Sequence, residues 1–184
     1  AVLNAAAERG GWGKPAPQGV FRGLAQTMGF GSYVAACAEV SVNSDGVVKV
    51  HRIAAATDSG HAVNPQQIEA QVEGSFAYGL SAALYGECTV KDGRIEQTNF
   101  NTFNSMRIAQ MPKVESIVMP SGGFWGGIGE PTTRVAAPSV PNAMFSAPRK
   151  RSRTSPHKHR GFPPAGSAEG CSSGNGARGC VRPG

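Results

Sequence analysis

The chain has 184 residues, enough for one domain with a tail. Glycine (25) and proline (13) exceed ordinary usage, and no apolar run reaches the roughly 18 residues a membrane-spanning helix requires. The net charge of +6 is uneven: eight of the 18 Lys/Arg but one of the 12 acids lie in residues 147–184, leaving 10 against 11 over residues 1–146. A near-neutral body gives no electrostatic reason to expect nucleic acid.

Residues 1–9 read as a helix entered in mid-pattern, with no initiator Met and no cleavable leader, so the chain is expected to be a piece of a longer one. A Gly/Pro connector follows, and residues 20–30 look extended. Residues 33–43 alternate weakly (Val34, Ala36, Ala38, Val40, Val42), the pattern of a half-buried strand. The turn Asn43-Ser44-Asp45-Gly46 and a β-branched run over 47–57 complete a hairpin. Cys37 and Cys88 fall in apolar, strand-like surroundings and are expected to be small core residues.

Asn64-Pro65-Gln66-Gln67 opens a helix with good grammar: Asn64 caps, Pro65 fits the first turn, and Gln67 reaches back as in a capping box. Ile68, Val72, Phe76, Leu80 and Leu84 form one stripe, so the helix runs over about 65–85. Gly74 and Gly79 each cost about 1 kcal/mol there relative to Ala, so tertiary contacts must hold it. Residues 87–90 and 94–100 read as a second hairpin and 114–119 as a further strand. A short C-terminal helix is expected over 132–146, distorted or shortened by Pro138 and Pro141. The fold class is therefore α+β: mixed and antiparallel strands with hairpins, packed on one long helix and a short one. From Ala147 the composition turns to Arg, Lys, Ser, Pro and Gly, which predicts a disordered basic tail over 147–184. That drift is what an out-of-frame reading of a GC-rich gene near codon 147 would produce. The tail carries Cys171, Cys180, His157 and His159, but no C-x-x-C pair occurs, so no structural zinc site is expected.

Several catalytic templates are absent. There is no phosphate loop, and the glycine loop at 122–131 lacks the strand-then-helix register of a dinucleotide fingerprint. Asp58, Ser59 and His61 have triad residue types but are neighbours in one turn, so they do not read as a triad. His51 reads as a partly exposed cross-strand group. The run Arg149-Lys150-Arg151-Ser152-Arg153 could hold phosphate backbones nonspecifically, but it lacks interleaved aromatics for base stacking, and a solvated end is the preferred reading. The most informative stretch is Gly122-Gly123-Phe124-Trp125-Gly126-Gly127-Ile128-Gly129-Glu130-Pro131. Its glycines let backbone approach a ligand closely, and its one carboxylate, Glu130, stands where the loop meets a helix. A glycine-rich surface loop with a helix-end acid and a catalytic carboxylate both fit that pattern.

Three stretches in order resemble a known family: Asp58-Ser59-Gly60-His61-Ala62-Val63-Asn64-Pro65, Gln71-Val72-Glu73-Gly74, and Gly127-Ile128-Gly129-Glu130-Pro131. Residues 1–146 resemble the C-terminal part of the molybdopterin-binding large subunit of the xanthine oxidase (molybdenum hydroxylase) family. The closer likeness is to its isoquinoline oxidoreductase, nicotinate dehydrogenase and membrane-bound aldehyde dehydrogenase branch, a likeness that Phe30-Gly31-Ser32-Tyr33 and Phe124-Trp125-Gly126-Gly127 share. The resemblance implies Glu130 as the base that takes a proton from a metal-bound hydroxyl before attack on an electron-poor carbon of an aldehyde or N-heterocycle. It implies Gln71 and Gly129 as cofactor-binding residues, with no protein ligand to the metal. Water would supply the oxygen. The implied cofactor is molybdenum–molybdopterin in its cytosine dinucleotide form, with a small 2Fe-2S subunit and a cytochrome c haem subunit as partners. The periplasmic face of the cytoplasmic membrane is the implied compartment, with the cytoplasm as the alternative. Family members are several times longer and supply most pterin contacts upstream, so the isolated chain is expected to be inactive. A non-catalytic truncated remnant is the rival reading, and a basic-tailed nucleic-acid binder the remoter one.

Overall fold

The computed structural model describes residues 1–146; the basic tail expected over 147–184 lies outside the described residues. Helix α1 (Val2–Gly10) ends at Gly11, whose left-handed φ of 69° turns the amides of Gly11 and Trp12 back onto the carbonyls of Glu8 and Ala7. Strands β1 (Val20–Gly29), β2 (Ser32–Val42) and β3 (Val48–Asp58) follow as an antiparallel meander. Helix α2 (Pro65–Leu84) leads to a small hairpin of β4 (Val90–Lys91) and β5 (Arg94–Ile95). Strand β6 (Lys113–Val118) then returns beside β3 in parallel, giving the sheet order β1-β2-β3-β6, and α3 (Thr133–Ser146) closes the fold. The parallel pair requires a long crossover, which α2 provides.

The expected α+β class and the long helix hold, with Asn64 Oδ1 accepting from the Gln67 amide at 3.3 Å as its cap. The second hairpin is much shorter than expected. All four of its paired residues are exposed, and a hairpin with no sheet to pack on keeps little pairing. Cys88 beside it is exposed, not a core residue, whereas Cys37 is buried and its thiol is pushed up to about 11 by burial.

Helices α2 and α3 cover one face of the sheet and α1 the other. On the first face Val34, Ala36, Ala38, Val40, Ile53 and Ala55 pack against Val72, Phe76, Leu80, Val135, Val140 and Met144. On the second, Val2 and Ala6 pack on Ala35 and Ala56. The centre of β2 is therefore buried on both faces, not half-buried. Its alternation was weak because alanine and cysteine fill the α1 side, where a nine-residue helix approaches closely. Pro138 and Pro141 do not shorten α3, which keeps 14 residues. Burial of Val135, Ala136, Ser139, Val140, Ala143 and Met144 outweighs the two lost backbone donors, and Asn142 Nδ2 adds a bond to the Leu24 carbonyl at 2.8 Å. No helix among the described residues is long and apolar enough to cross a membrane.

A row of charges crosses the sheet on the α1 side. Arg22 faces Glu39, Glu39 faces Arg52, and Arg52 faces Lys113 in the strand registers. Arg22 Nε donates to Glu39 at 2.9 Å; Arg52 forks onto Glu115 at 3.0 and 2.8 Å, and Lys113 meets the same carboxylate at 3.0 Å. Arg22 also donates to the carbonyls of Gly11 (2.7 Å) and Lys14 (2.8 Å), and Arg52 to that of Arg9 (2.8 Å). Carbonyls at and just beyond the end of α1 are thus satisfied by the strands beneath it.

Two predictions follow from this packing. Hydrogen bonds from Arg52, then Lys113, hold the Glu115 carboxyl down at about 2, against an ordinary 4.5. A depressed folded value stabilises above the unfolded one, so the contribution is full above pH 4.5 and is lost as pH falls toward 2. Glu115→Gln should lower stability by about 1.5–3 kcal/mol at neutral pH. Urea titrations should show the gap to wild type closing below pH 4.5; a pH-independent gap rejects the carboxylate's role. Secondly, a Cβ on Gly79 would meet the Ala136 Cβ at 2.5 Å and the Thr133 carbonyl at 2.8 Å, whereas one on Gly74 meets nothing within 4 Å. Gly79→Ala should cost about 1–3 kcal/mol, and Gly74→Ala should gain roughly 0.5–1 kcal/mol. Equal effects in thermal denaturation contradict the assignment of Gly79 to the α2–α3 contact.

Candidate functional site

The segment between β6 and α3 has no regular structure, so its backbone groups find partners on three other elements. The Gly122 and Gly126 amides donate to the carbonyls of Gly60 (2.7 Å) and Ser59 (2.9 Å), just beyond β3. Gly127 N–H donates to the Phe30 carbonyl at 2.8 Å, and Ser32 Oγ to the Gly127 carbonyl at 2.6 Å, at the β1–β2 turn. Ser75 Oγ on α2 donates to the Gly129 carbonyl at 3.3 Å. Asp58 Oδ1 accepts from the Gly60 amide (2.8 Å), the Ser121 amide (3.3 Å) and the Ser121 hydroxyl (3.0 Å). Ser59 Oγ donates to the His61 carbonyl at 3.1 Å, while the His61 ring stacks on Trp125 at 4.4 Å. Asp58, Ser59 and His61 therefore anchor the loop and form no triad. His51 pairs across strands with Ser41 Oγ at 2.7 Å, as expected.

The β1–β2 turn is unusual. Phe30 (φ 55°) and Gly31 (φ 77°) are both left-handed, the two-residue geometry for which Asn-Gly is the favoured pair. A phenylalanine there costs about 1–2 kcal/mol. Its ring lies beneath Arg134, whose Cζ is 4.8 Å from the ring centroid.

A cleft of about 590 Å³ opens between α2 and the start of α3. Gln71, Gly74, Ser75 and Tyr78 line it from α2, spaced so that they share one helical face beside the buried stripe. Gly129, Glu130, Thr133 and Arg134 line the other side. Gln71, Gly129 and Glu130, drawn from two motifs far apart in sequence, are thus brought to one cleft. Glu130 is exposed, and its carbonyl accepts the Thr133 amide at 3.0 Å, which sets it just ahead of α3. Sequence reasoning missed Ser75, Tyr78 and Arg134. The signal for the first two was their spacing from Gln71; for Arg134 it was a cation in a helix's first turn, where the macrodipole disfavours one. A roomier groove of about 710 Å³ flanks the other half of α2, but its walls (Ala77, Ala82, Cys88, Phe100, Phe103 and Met106 among them) carry no carboxylate, side-chain amide or guanidinium. Volume is therefore a poor guide here, since the smaller cleft gathers the amide, the carboxylate and the guanidinium.

The sequence profile of the molybdopterin cofactor-binding domain matches residues 16–112, more than half of the chain. The membrane-bound aldehyde dehydrogenase [pyrroloquinoline-quinone] of Gluconacetobacter polyoxogenes is 34% identical over 162 residues, covering 85% of this chain and 21% of that protein. Isoquinoline 1-oxidoreductase subunit beta of Brevundimonas diminuta is 30% identical over 148 residues, covering 78% and 19%. Among solved structures, the aldehyde oxidoreductase of Desulfovibrio gigas superposes with a TM-score of 0.58 at 26% identity, over 68% of this chain and 14% of that one. The chain belongs to the molybdopterin cofactor-binding family of oxidoreductases. It spans about a fifth of the length of the curated relatives it matches.

The cleft's residues fit a pterin-type group. A Cβ at Gly74 or Gly129 would meet no atom within 4 Å, so bare backbone borders open space on both walls. Beside it stand an amide, a hydroxyl, a carboxylate and a guanidinium, a set that matches the alternating donors and acceptors of a heteroatom-rich ring.

Because one Asp58 oxygen receives three bonds, Asp58→Ala should lower stability by about 1–3 kcal/mol. Hydrogen exchange should quicken at the Gly122 and Gly126 amides while the β2 amides keep their protection. Unchanged exchange in the loop rejects Asp58 as its anchor.

Proposed function

We propose that the complete subunit carrying this chain is a molybdenum-cofactor oxidoreductase that oxidises an aldehyde or hydroxylates an N-heterocycle, with oxygen drawn from water. The observation that carries this reading is the meeting of the Gln71 amide and the Glu130 carboxylate on one cleft, between walls of bare glycine backbone. The bound cofactor supplies the two-electron redox chemistry. The chain's own residues position it and handle the proton.

Glu130 is the general base: its carboxylate takes the proton released as water-derived oxygen is transferred to the substrate carbon. Gln71 reads the cofactor through its amide, held on a helix whose adjoining face is buried, so the group is presented in a fixed orientation. Gly129 brings backbone to the cofactor without a side chain in the way, and the Ser75 hydroxyl fixes its carbonyl. An aldehyde is the favoured substrate, in keeping with the name of the 34%-identical relative. The cofactor is the cytosine dinucleotide form, and electrons leave through a small 2Fe-2S subunit and a cytochrome c.

Glu130→Gln in the complete subunit is expected to cut turnover roughly 10²–10⁴-fold with molybdenum content unchanged by elemental analysis. Retained turnover at full molybdenum content rejects Glu130 as the base. A molybdenum-loaded wild type that oxidises neither benzaldehyde nor quinoline rejects the reading as a whole.

A further inference from the structure

Arg134 is the cleft residue with the least structural reason to be where it is. It is exposed, in the first turn of α3, where the helix's positive end disfavours a cation. It makes no ion pair among the described residues. Among the described residues its guanidinium makes one hydrogen bond, and a long one, Nη1 to the Met28 carbonyl at 3.5 Å, although a guanidinium carries five donors. Yet it is not left loose. The Phe30 ring lies under its face at 4.8 Å, and Phe30 keeps a left-handed backbone in a turn that asparagine would fill more easily. The same residue's carbonyl holds Gly127, so the glycine loop and the guanidinium are positioned from one strained point. A locally unfavourable cation, oriented by a locally unfavourable aromatic, marks a site selected for something other than folding.

We propose that Arg134, steered by Phe30, is an anion-binding arm of the Gln71–Glu130 cleft, which receives a ligand bearing an oxyanion group, carboxylate or phosphate. The planar fork of a guanidinium pairs two oxygens of either group at once, while the Phe30 ring covers its other surface. The assignment rests on the functional reading above and deepens it by stating what the cleft selects. Two sources could bring the oxyanion: a carboxylated substrate, or a phosphate of the cofactor itself. Phe30 is a positioning residue, since it acts through Arg134.

The experiment uses the complete subunit with its electron-transfer partner, in four forms: wild type, Arg134→Gln, Arg134→Lys and Phe30→Asn. Two readouts are taken from each: molybdenum per subunit, and KM for 4-carboxybenzaldehyde relative to benzaldehyde. If the oxyanion belongs to the substrate, Arg134→Gln raises the relative KM about 10- to 100-fold with molybdenum content kept. Arg134→Lys then recovers part of the loss. If it belongs to the cofactor, molybdenum content falls by a similar factor in Arg134→Gln, at equal yield of folded protein. Phe30→Asn, which suits the turn and keeps the fold, shifts the same readout in the same direction by less. The proposal is overturned if Arg134→Gln leaves both the KM ratio and the molybdenum content at wild-type values. That outcome is separate from the Glu130→Gln result, which judges the function and not the arm.

Discussion

Between the end of β6 and the start of α3 the chain must travel without a helix or strand to absorb its backbone hydrogen bonds. Unpaired polar backbone is costly wherever water is excluded, so such a segment lies where its neighbours offer partners. Here the partners come from the end of β3, the β1–β2 turn and α2, and each of them fixes a different part of the loop. The position of Glu130 is a consequence of all three. Glycine is what makes this possible: a Cβ on Gly60 would collide with the Phe124 carbonyl, and one on Gly126 with Gly31 and Ser32. At Gly126 and Gly127 the loop is crowded because the surrounding elements hold it in place, whereas Gly122 and Gly129 border open space.

The sheet beneath serves a different purpose. Its two buried faces make β2 and β3 rigid, and the charge row from Arg22 to Glu115 fastens α1 across all four strands. None of the groups in that row touches the cleft. The side of the sheet that carries the ion pairs supports the fold; the side that carries α2 and α3 forms the cleft. Glu115 and Glu130 are both carboxylates near basic residues, yet one is spent on Arg52 and Lys113 while the other faces open space.

How much of this was legible in the sequence depended on range. Helix α2 was readable in detail, because its cap, its proline and its four-residue stripe are local signals. The meander was readable from its turn and alternation, but the second buried face of β2 was not, since only tertiary contact with α1 distinguishes a buried alanine from an exposed one. The hairpin over 87–100 was over-read: its β-branched residues had the right propensity but no surface to pack on. The prolines of α3 were over-weighted for the opposite reason, because burial held a helix that propensity alone would break. Glu130 was visible as the one carboxylate at the end of a glycine loop, but its role, and Gln71 altogether, came only through resemblance to a family. Their meeting in one cleft, 59 positions apart in sequence, is a property of the fold.

One coupling ties stability to the cleft. Gly79 lets α3 approach α2 so closely that the nearest obstacle to a side chain there, besides Ala136, is the carbonyl of Thr133. Thr133 is also a wall of the cleft, next to Arg134 and three residues past Glu130. The separation between the Gln71 wall and the Glu130 wall is therefore set by a missing methyl group two helical turns along α2. Packed interiors yield to such a change by shifting a helix end, and a reacting geometry loses about a hundredfold in rate for a displacement near 1 Å. In this fold the tight contact between two helices and the width of the gap between two chemical groups are one quantity, adjusted at a residue that touches no ligand.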